Sequence, residues 1–139
     1  MTQHEHKDIL LNINIEKSNV ALKIAELSIG ENAIVSALNR IYYAVFYTVS
    51  AMAIKYDFIT SKHAQMLGWF NKKFIHEEKT FDKSLNEIYR VAFDLRQEND
   101  YNDDVLPDID KATELITDAK AFIEIVRKEI NKINTEDKL

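Results

Sequence analysis

Two glycines and a single proline (Pro107) in 139 residues leave little of the turn chemistry that a many-stranded β fold consumes. Leu, Ile, Ala, Glu and Lys, all good helix formers or helix-tolerant residues, are abundant instead. The fold class expected is all-α, an up-and-down bundle of four to five helices. With 46% hydrophobic residues the chain can bury a core of its own, so one domain spanning 1–139 is expected.

Apolar periodicity places the helices. Ile9, Ile13, Val20, Ile24 and Leu27 recur at helical spacing and predict a first helix over about 6–28, with that stripe inward and Gly30 as its stop. A second, over about 32–56, is apolar on nearly every side and should be the central one. Thr60 or Ser61 can cap a short third helix over about 61–74, with "IHEEKT" as the loop that follows. Asp82 or Ser84 opens a fourth over about 82–98, carrying Leu85, Ile88, Ala92 and Leu95. The fifth, over about 108–133, has the clearest stripe, from Ala112 through Phe122 to Ile133. The apolar excess of the second helix, with the aromatic pair Trp69 and Phe70, predicts a homodimer in which a second chain covers part of it.

Charge narrows the function. A net charge of -5 and a pI near 5.4 exclude a broad basic face for nucleic acid but leave room for a small positive pocket. Without cysteine there is neither disulfide nor thiolate chemistry. The first residues lack the apolar centre of a secretory signal, and the longest charge-free apolar run, 41–54, is shorter than the roughly 20 residues of a membrane span. No membrane association is expected, and the localisation expected is cytoplasmic. No Glu-x-x-His pair, Cys/His cluster or glycine-rich phosphate loop occurs, so no metal and no cofactor are expected. The acidic residues Glu98, Asp100, Asp103 and Asp104 lack the alternation of a calcium loop and read as a solvated negative loop.

Within the apolar second helix, "NRIYYAVFY" (39–47) holds a permanent cation, Arg40. Burying it requires an answering group, either a partner inside the fold or an anionic ligand. Arg40, Tyr43 and Tyr47 share one face with the small residues Ser36, Ala44 and Ala51, a combination suited to a groove. Tyr42 and Phe46 read as core. In "AFDLRQENDY" (92–101), Arg96 stands near a helix end, where the dipole favours a cation, and Tyr101 follows five residues later in a polar stretch. His63 lies near the start of the third helix, where a neighbouring acid such as Asp57 or Glu77 could pair with it. His76, His4 and His6 read as solvated, and Lys72 and Lys73 as an outward edge.

Three pieces in this order, "RIYYAVF" (40–46), the histidine of "SKHAQML" (61–67) and "AFDLRQENDY" (92–101), resemble the HEPN domain family. The resemblance extends over the whole run of helices. It implies a four- to five-helix bundle that pairs as a two-fold dimer with a cleft at the subunit interface. It further implies either a nucleotide-binding protein or a metal-independent RNase toxin, often beside a small nucleotidyltransferase antitoxin. The family's catalytic pattern is an Arg, a polar residue, and a His four to six positions after the Arg. Arg96 and Gln97 match its first half, whereas Tyr101 stands where the His belongs, and an unperturbed tyrosine with a pKa of about 10 cannot exchange protons at neutral pH.

The reading preferred from the sequence is therefore a nucleotide- or RNA-phosphate-binding module using Arg40, Tyr43, Tyr47, Arg96 and Gln97, acting with a nucleotidyltransferase partner. The alternatives are an RNase using Arg96 with Tyr101 or His63, and a structural dimer with no small ligand. Tyr101 is also a candidate acceptor of AMP from such a partner.

Overall fold

The computed structural model describes the backbone of residues 1–101 and 108–138, and side chains over 1–98 and 108–133. Five α-helices run in sequence: α1 (Gln3–Gly30), α2 (Ile34–Lys55), α3 (His63–Phe70), α4 (Lys83–Tyr101) and α5 (Ile109–Lys138), with a π-helical turn, Asn71–Glu77, continuing directly from α3. Among the described residues there is no strand.

Local chemistry sets the helix ends. Thr2 and Glu5 form a reciprocal capping box at the start of α1: the Thr2 hydroxyl accepts from the Glu5 amide at 3.1 Å, and the Glu5 carboxylate accepts from the Thr2 amide at 3.3 Å. Gly30, expected as the stop of this helix, is its last helical residue. The left-handed turn falls on Asn32 (φ 58°), and the Ala33 amide then returns to the Ser28 carbonyl at 2.8 Å. α2 ends the same way, with Asp57 at φ 56° and the Phe58 amide bonded to the Ala53 carbonyl at 3.1 Å. Short polar side chains tolerate this conformation, so the chain makes Schellman turns without glycine.

Thr60 and Ser61 do not cap α3. Lys62 occupies the cap position, and Thr60 makes a tight turn before it, accepting from the Lys62 amide at 3.1 Å. The segment expected as a loop after Phe74 stays helical to Glu77, in the wider π form that keeps Phe74 and Ile75 buried. Asp82 and Asp108 open α4 and α5 by accepting from the amides two residues on, Ser84 and Asp110, at 3.0 and 2.9 Å.

α2 is central, packing against α1, α4 and α5. Its contact with α1 departs from what the isoleucine spacing predicts. Ile9, Ile13, Val20, Ile24 and Leu27 all point outward, and α1 buries Leu11, Ser18, Ala21, Ala25 and Ser28. The inner face of α1 is thus built mainly of small residues, which let two backbones approach. Ser18 exploits this by donating its hydroxyl to the Ala44 carbonyl of α2 at 2.7 Å, with the Thr48 hydroxyl 2.8 Å away. α5 presents the expected stripe, with Ala112, Ala119, Phe122, Val126 and Ile130 at 0–1% exposure.

An aromatic centre joins α3, α4 and α5: the Phe70 ring lies 5.5 Å from Phe122 and 5.7 Å from Tyr89. Trp69 stacks on Phe58 at 4.7 Å. These contacts bury Phe70 completely and Trp69 in part, so this aromatic surface is covered by the chain's own residues and gives no reason for a second chain to cover it.

Candidate functional site

The site begins on α2, where positions 39, 40, 42, 43 and 46 carry the Asn, Arg and aromatic side chains of the "NRIYYAVFY" stretch. Arg40 donates from Nε and Nη2 to the side-chain Oδ1 of Asn39 at 2.9 and 2.7 Å, and its guanidinium lies 4.8 Å from the centre of the Tyr43 ring. That amide oxygen is neutral. It fixes the direction of the guanidinium and leaves its charge in place.

α4 brings the second cation. The Arg96 guanidinium lies 5.1 Å from the Tyr42 ring and 5.2 Å from the Tyr43 ring. Tyr43 therefore holds two guanidinium groups, one from α2 and one from α4, both within cation–π distance of one ring. Two like charges gathered on one half-buried tyrosine raise the local positive potential, which favours an anion.

The third element is the first residue of α3. His63 stacks on Phe46 with ring centres 4.3 Å apart and planes 7° from parallel, and it meets Tyr43 edge-on at 5.7 Å. Its Nδ1 lies 2.7 Å from the Tyr42 hydroxyl. The partner is thus a phenol, and neither Asp57 nor Glu77; Asp57 is instead taken by Lys7 at 2.7 Å. Burial first, and then the nearby Arg96 charge, lower the His63 pKa below its ordinary value of 6.5, so the imidazole is neutral at pH 7. Burial also raises the Tyr42 pKa, against an opposing pull from Arg96, so its hydroxyl keeps its proton. When the phenol donates to Nδ1, the proton of the neutral ring sits on Nε2, available to an oxygen of a ligand. When Nδ1 carries the proton and donates to the phenol oxygen, the lone pair of Nε2 is free to accept one.

The other residues singled out in the sequence are placed as follows. Tyr47 extends the row, 5.6 Å from Tyr43, with the Lys17 ammonium 5.6 Å from its own ring. Ala44 and Ala51, read onto the same face, are fully buried, and Ser36 is exposed with its hydroxyl 3.2 Å from that of Ser28; Arg40, Tyr43 and Tyr47 are the members of that face in the cluster. Gln97 is exposed, and no contact among the described residues ties it to the arginines. Tyr101 is the last residue of α4, and its side chain lies outside the described residues, as do those of Asp100, Asp103 and Asp104. His76 is exposed on the π-helical turn, and His4 pairs with Asp8 at 3.5 Å. Tyr42 is fully buried, as expected of core, yet it also carries the hydrogen bond to His63. The signal available in the sequence was the i, i+4 pair of rings, Tyr42 and Phe46, on one side of the helix.

On the other side of His63 and Phe46 lies a groove of about 650 Å³ whose walls include Leu10, Ile54, Phe58 and Met66. A hollow of about 560 Å³ between α4 and α5 shares no lining residue with it.

The HEPN domain family matches residues 12–130, which takes in every residue of this cluster. The chain belongs to the HEPN domain family. This HEPN chain is 32% identical to the "UPF0332 protein" of Thermotoga maritima over 84% of its own length and 88% of the relative's. It is 29% identical to "Putative toxin MJ0142" of Methanocaldococcus jannaschii, over 82% of this chain and 77% of that one. A second protein of that organism, "Putative toxin MJ0605", is 26% identical over 89% and 97% of the two chains. The all-α HEPN bundle is thus what places the α2 tyrosines between the arginines of α2 and α4. No helix among the described residues is long and apolar enough to cross a membrane.

Proposed function

We propose that this HEPN chain holds the phosphate of a nucleotide or an RNA between Arg40 and Arg96. One observation carries the reading: guanidinium groups from α2 and α4 lie on the same ring, Tyr43. An arginine fork meets a phosphate with paired N–H donors, and the neighbouring Tyr43 and Tyr47 offer faces on which a base can stack. The two relatives whose names contain the word toxin support a toxin-like role. A toxin–antitoxin setting in the cytoplasm, with a small nucleotidyltransferase as the partner protein and Tyr101 as the hydroxyl it would modify, completes the reading. A two-fold pairing of chains belongs to the same reading.

The position of His63 favours a second reading, metal-independent RNA cleavage. The Arg-x4-Tyr end of α4 lacks the histidine of the catalytic pattern, but His63 brings an imidazole to the same tyrosines from α3. Neutral at pH 7, it can take the proton of a ribose 2′-hydroxyl at Nε2 as that oxygen forms its bond to phosphorus. The bond from phosphorus to the 5′-oxygen then breaks, and the departing oxygen takes up a proton. Arg40 and Arg96 would stabilise the charge gathering on the phosphate oxygens.

Incubation of the purified chain with RNA in the presence of a chelator separates the readings. Cleavage by the wild type that is lost in Arg96→Ala and in His63→Ala establishes the nuclease. Binding without cleavage, weakened by about tenfold or more in Arg40→Ala and Arg96→Ala, establishes the binding module. Neither binding nor cleavage leaves a helical domain without a phosphate ligand.

A further inference from the structure

The groove on the far side of His63 and Phe46 lies between two helical stripes. Phe46, Ser50 and Ile54 of α2 form one and Leu10 and Asn14 of α1 the other, with Met66 of α3 on the wall. The contacts between α1 and α2 fix how the stripes face. Lys7 meets Asp57, Asp8 meets Lys55, and Ser18 meets Ala44 and Thr48, so the helices run antiparallel and Asn14 stands level with Ser50. Both of these half-buried side chains donate to their own helix: the Ser50 hydroxyl to the Phe46 carbonyl at 2.8 Å, and Asn14 Nδ2 to the Leu10 carbonyl at 2.9 Å. The hydroxyl has then no hydrogen left to give, and the second bond fixes which end of the amide is the oxygen. Ser50 Oγ and Asn14 Oδ1 keep lone pairs that no donor among the described residues fills. Lys7 and Asp57, the ion pair on the wall, neutralise each other at 2.7 Å. The groove is thus apolar and uncharged, with two acceptors at one level.

We propose that this groove is a base subsite, receiving the nucleobase next to the phosphate on Arg40 and Arg96 and favouring a base that carries an exocyclic amine over uracil. The inference rests on the phosphate reading above. Phe46 and His63 line the groove and also touch Tyr43, so a strand whose phosphate lies on the arginines enters the groove across His63. A base is apolar on both faces and polar only along its edge, which matches Ile54 and Met66 walls with polar atoms gathered at one level. The volume of about 650 Å³ is ample for it. An exocyclic amine donates two hydrogens, one for each acceptor. Uracil presents a carbonyl oxygen where cytosine carries that amine, and would set lone pairs against lone pairs. The base on the other side of the phosphate stays with Tyr43 and Tyr47.

Fluorescence anisotropy of the full chain with labelled 2′-fluoro RNA hexamers of cytidine and of uridine tests it. These strands carry no 2′-hydroxyl to be attacked, and they differ only in the base edge at issue. The wild type is expected to bind the cytidine hexamer about tenfold more tightly than the uridine hexamer. Ser50→Ala and Asn14→Leu each remove one acceptor and should lower that ratio to about threefold, and the double variant should bring the two affinities within about twofold of each other, with circular dichroism confirming that each variant is folded. Arg96→Ala should weaken both hexamers alike and leave the ratio in place. Equal binding of the two hexamers by the wild type overturns the subsite and leaves the phosphate reading standing, as does a ratio that survives the double variant. Binding of neither hexamer overturns both.

Discussion

The Tyr42 hydroxyl and Nδ1 of His63 lie 2.7 Å apart, with the guanidinium of Arg96 5.1 Å from the centre of the same tyrosine ring. The arrangement ties the protonation of a residue on α3 to a charge supplied by α4.

The first expectation concerns that coupling. Arg96 opposes a proton on His63, so Arg96→Ala should raise the His63 pKa, and an NMR titration of the imidazole C–H signals reads the change directly. The wild-type value should lie below 6.5. A His63 pKa that does not move in the variant would show that burial alone depresses it.

Stability should follow the same group. The folded chain disfavours the imidazolium, so between the lowered pKa and 6.5 the unfolded chain binds more protons. The His63 contribution is therefore fully present above pH 6.5 and is lost as pH falls through the folded-state pKa. Urea unfolding from pH 7 to 5 should show a loss of stability that is shallower in His63→Gln; equal slopes would contradict this.

Gly68 sits within α3, exposed, and a Cβ added there would meet nothing within 4 Å. Gly68→Ala removes backbone freedom from the unfolded chain at no steric cost. It should stabilise the protein by about 0.5–1 kcal/mol, measurable as a rise in the urea midpoint at constant slope.

Tyr89 is fully buried, and its hydroxyl has no hydrogen-bond partner among the described residues. Tyr89→Phe keeps the ring contacts with Phe70 and Phe122 and removes the stranded polar atom. It should be neutral or stabilising by up to about 1–2 kcal/mol in thermal unfolding. A clear loss of stability would mean that the hydroxyl is paired in solution.

At the α1–α2 contact, Ser18→Ala forfeits the bond to the Ala44 carbonyl and should cost about 1 kcal/mol. Ser18→Leu must also force the helices apart and should cost about 1–3 kcal/mol more. Chemical denaturation of the two variants ranks the terms; if leucine costs no more than alanine, the two backbones are not held at close range.

The contrast between α5 and α1 shows what kind of information the sequence carried. In α5 the large apolar residues are also the buried ones, so period and burial coincide, and the stripe from Ala112 to Ile130 is legible. In α1 they part company. The isoleucines dominate any hydropathy pattern, yet the inner face is chosen by close approach, which Ser18, Ala21, Ala25 and Ser28 allow and isoleucine does not. Small residues give a weak hydropathy signal, and only the docked partner reveals their purpose. The site divides similarly. Arg40 and Tyr43 could be placed on one face from spacing alone, and Arg96 could be suspected from its unusual neighbours. The reach of His63 to Tyr42 depends on how α3 lies across α2, a tertiary fact with no local signature. The full burial of Tyr89, packed between Phe70 and Phe122, is likewise a tertiary fact.

The two guanidinium groups on Tyr43 come from helices separated by all of α3 and its π-helical extension. A nascent chain that has emerged only as far as that extension already possesses Arg40 and His63, but it lacks the second guanidinium, Arg96. Whatever depends on both charges must wait for α4 to be synthesised and docked, so a truncated or half-folded product would be inert at this centre.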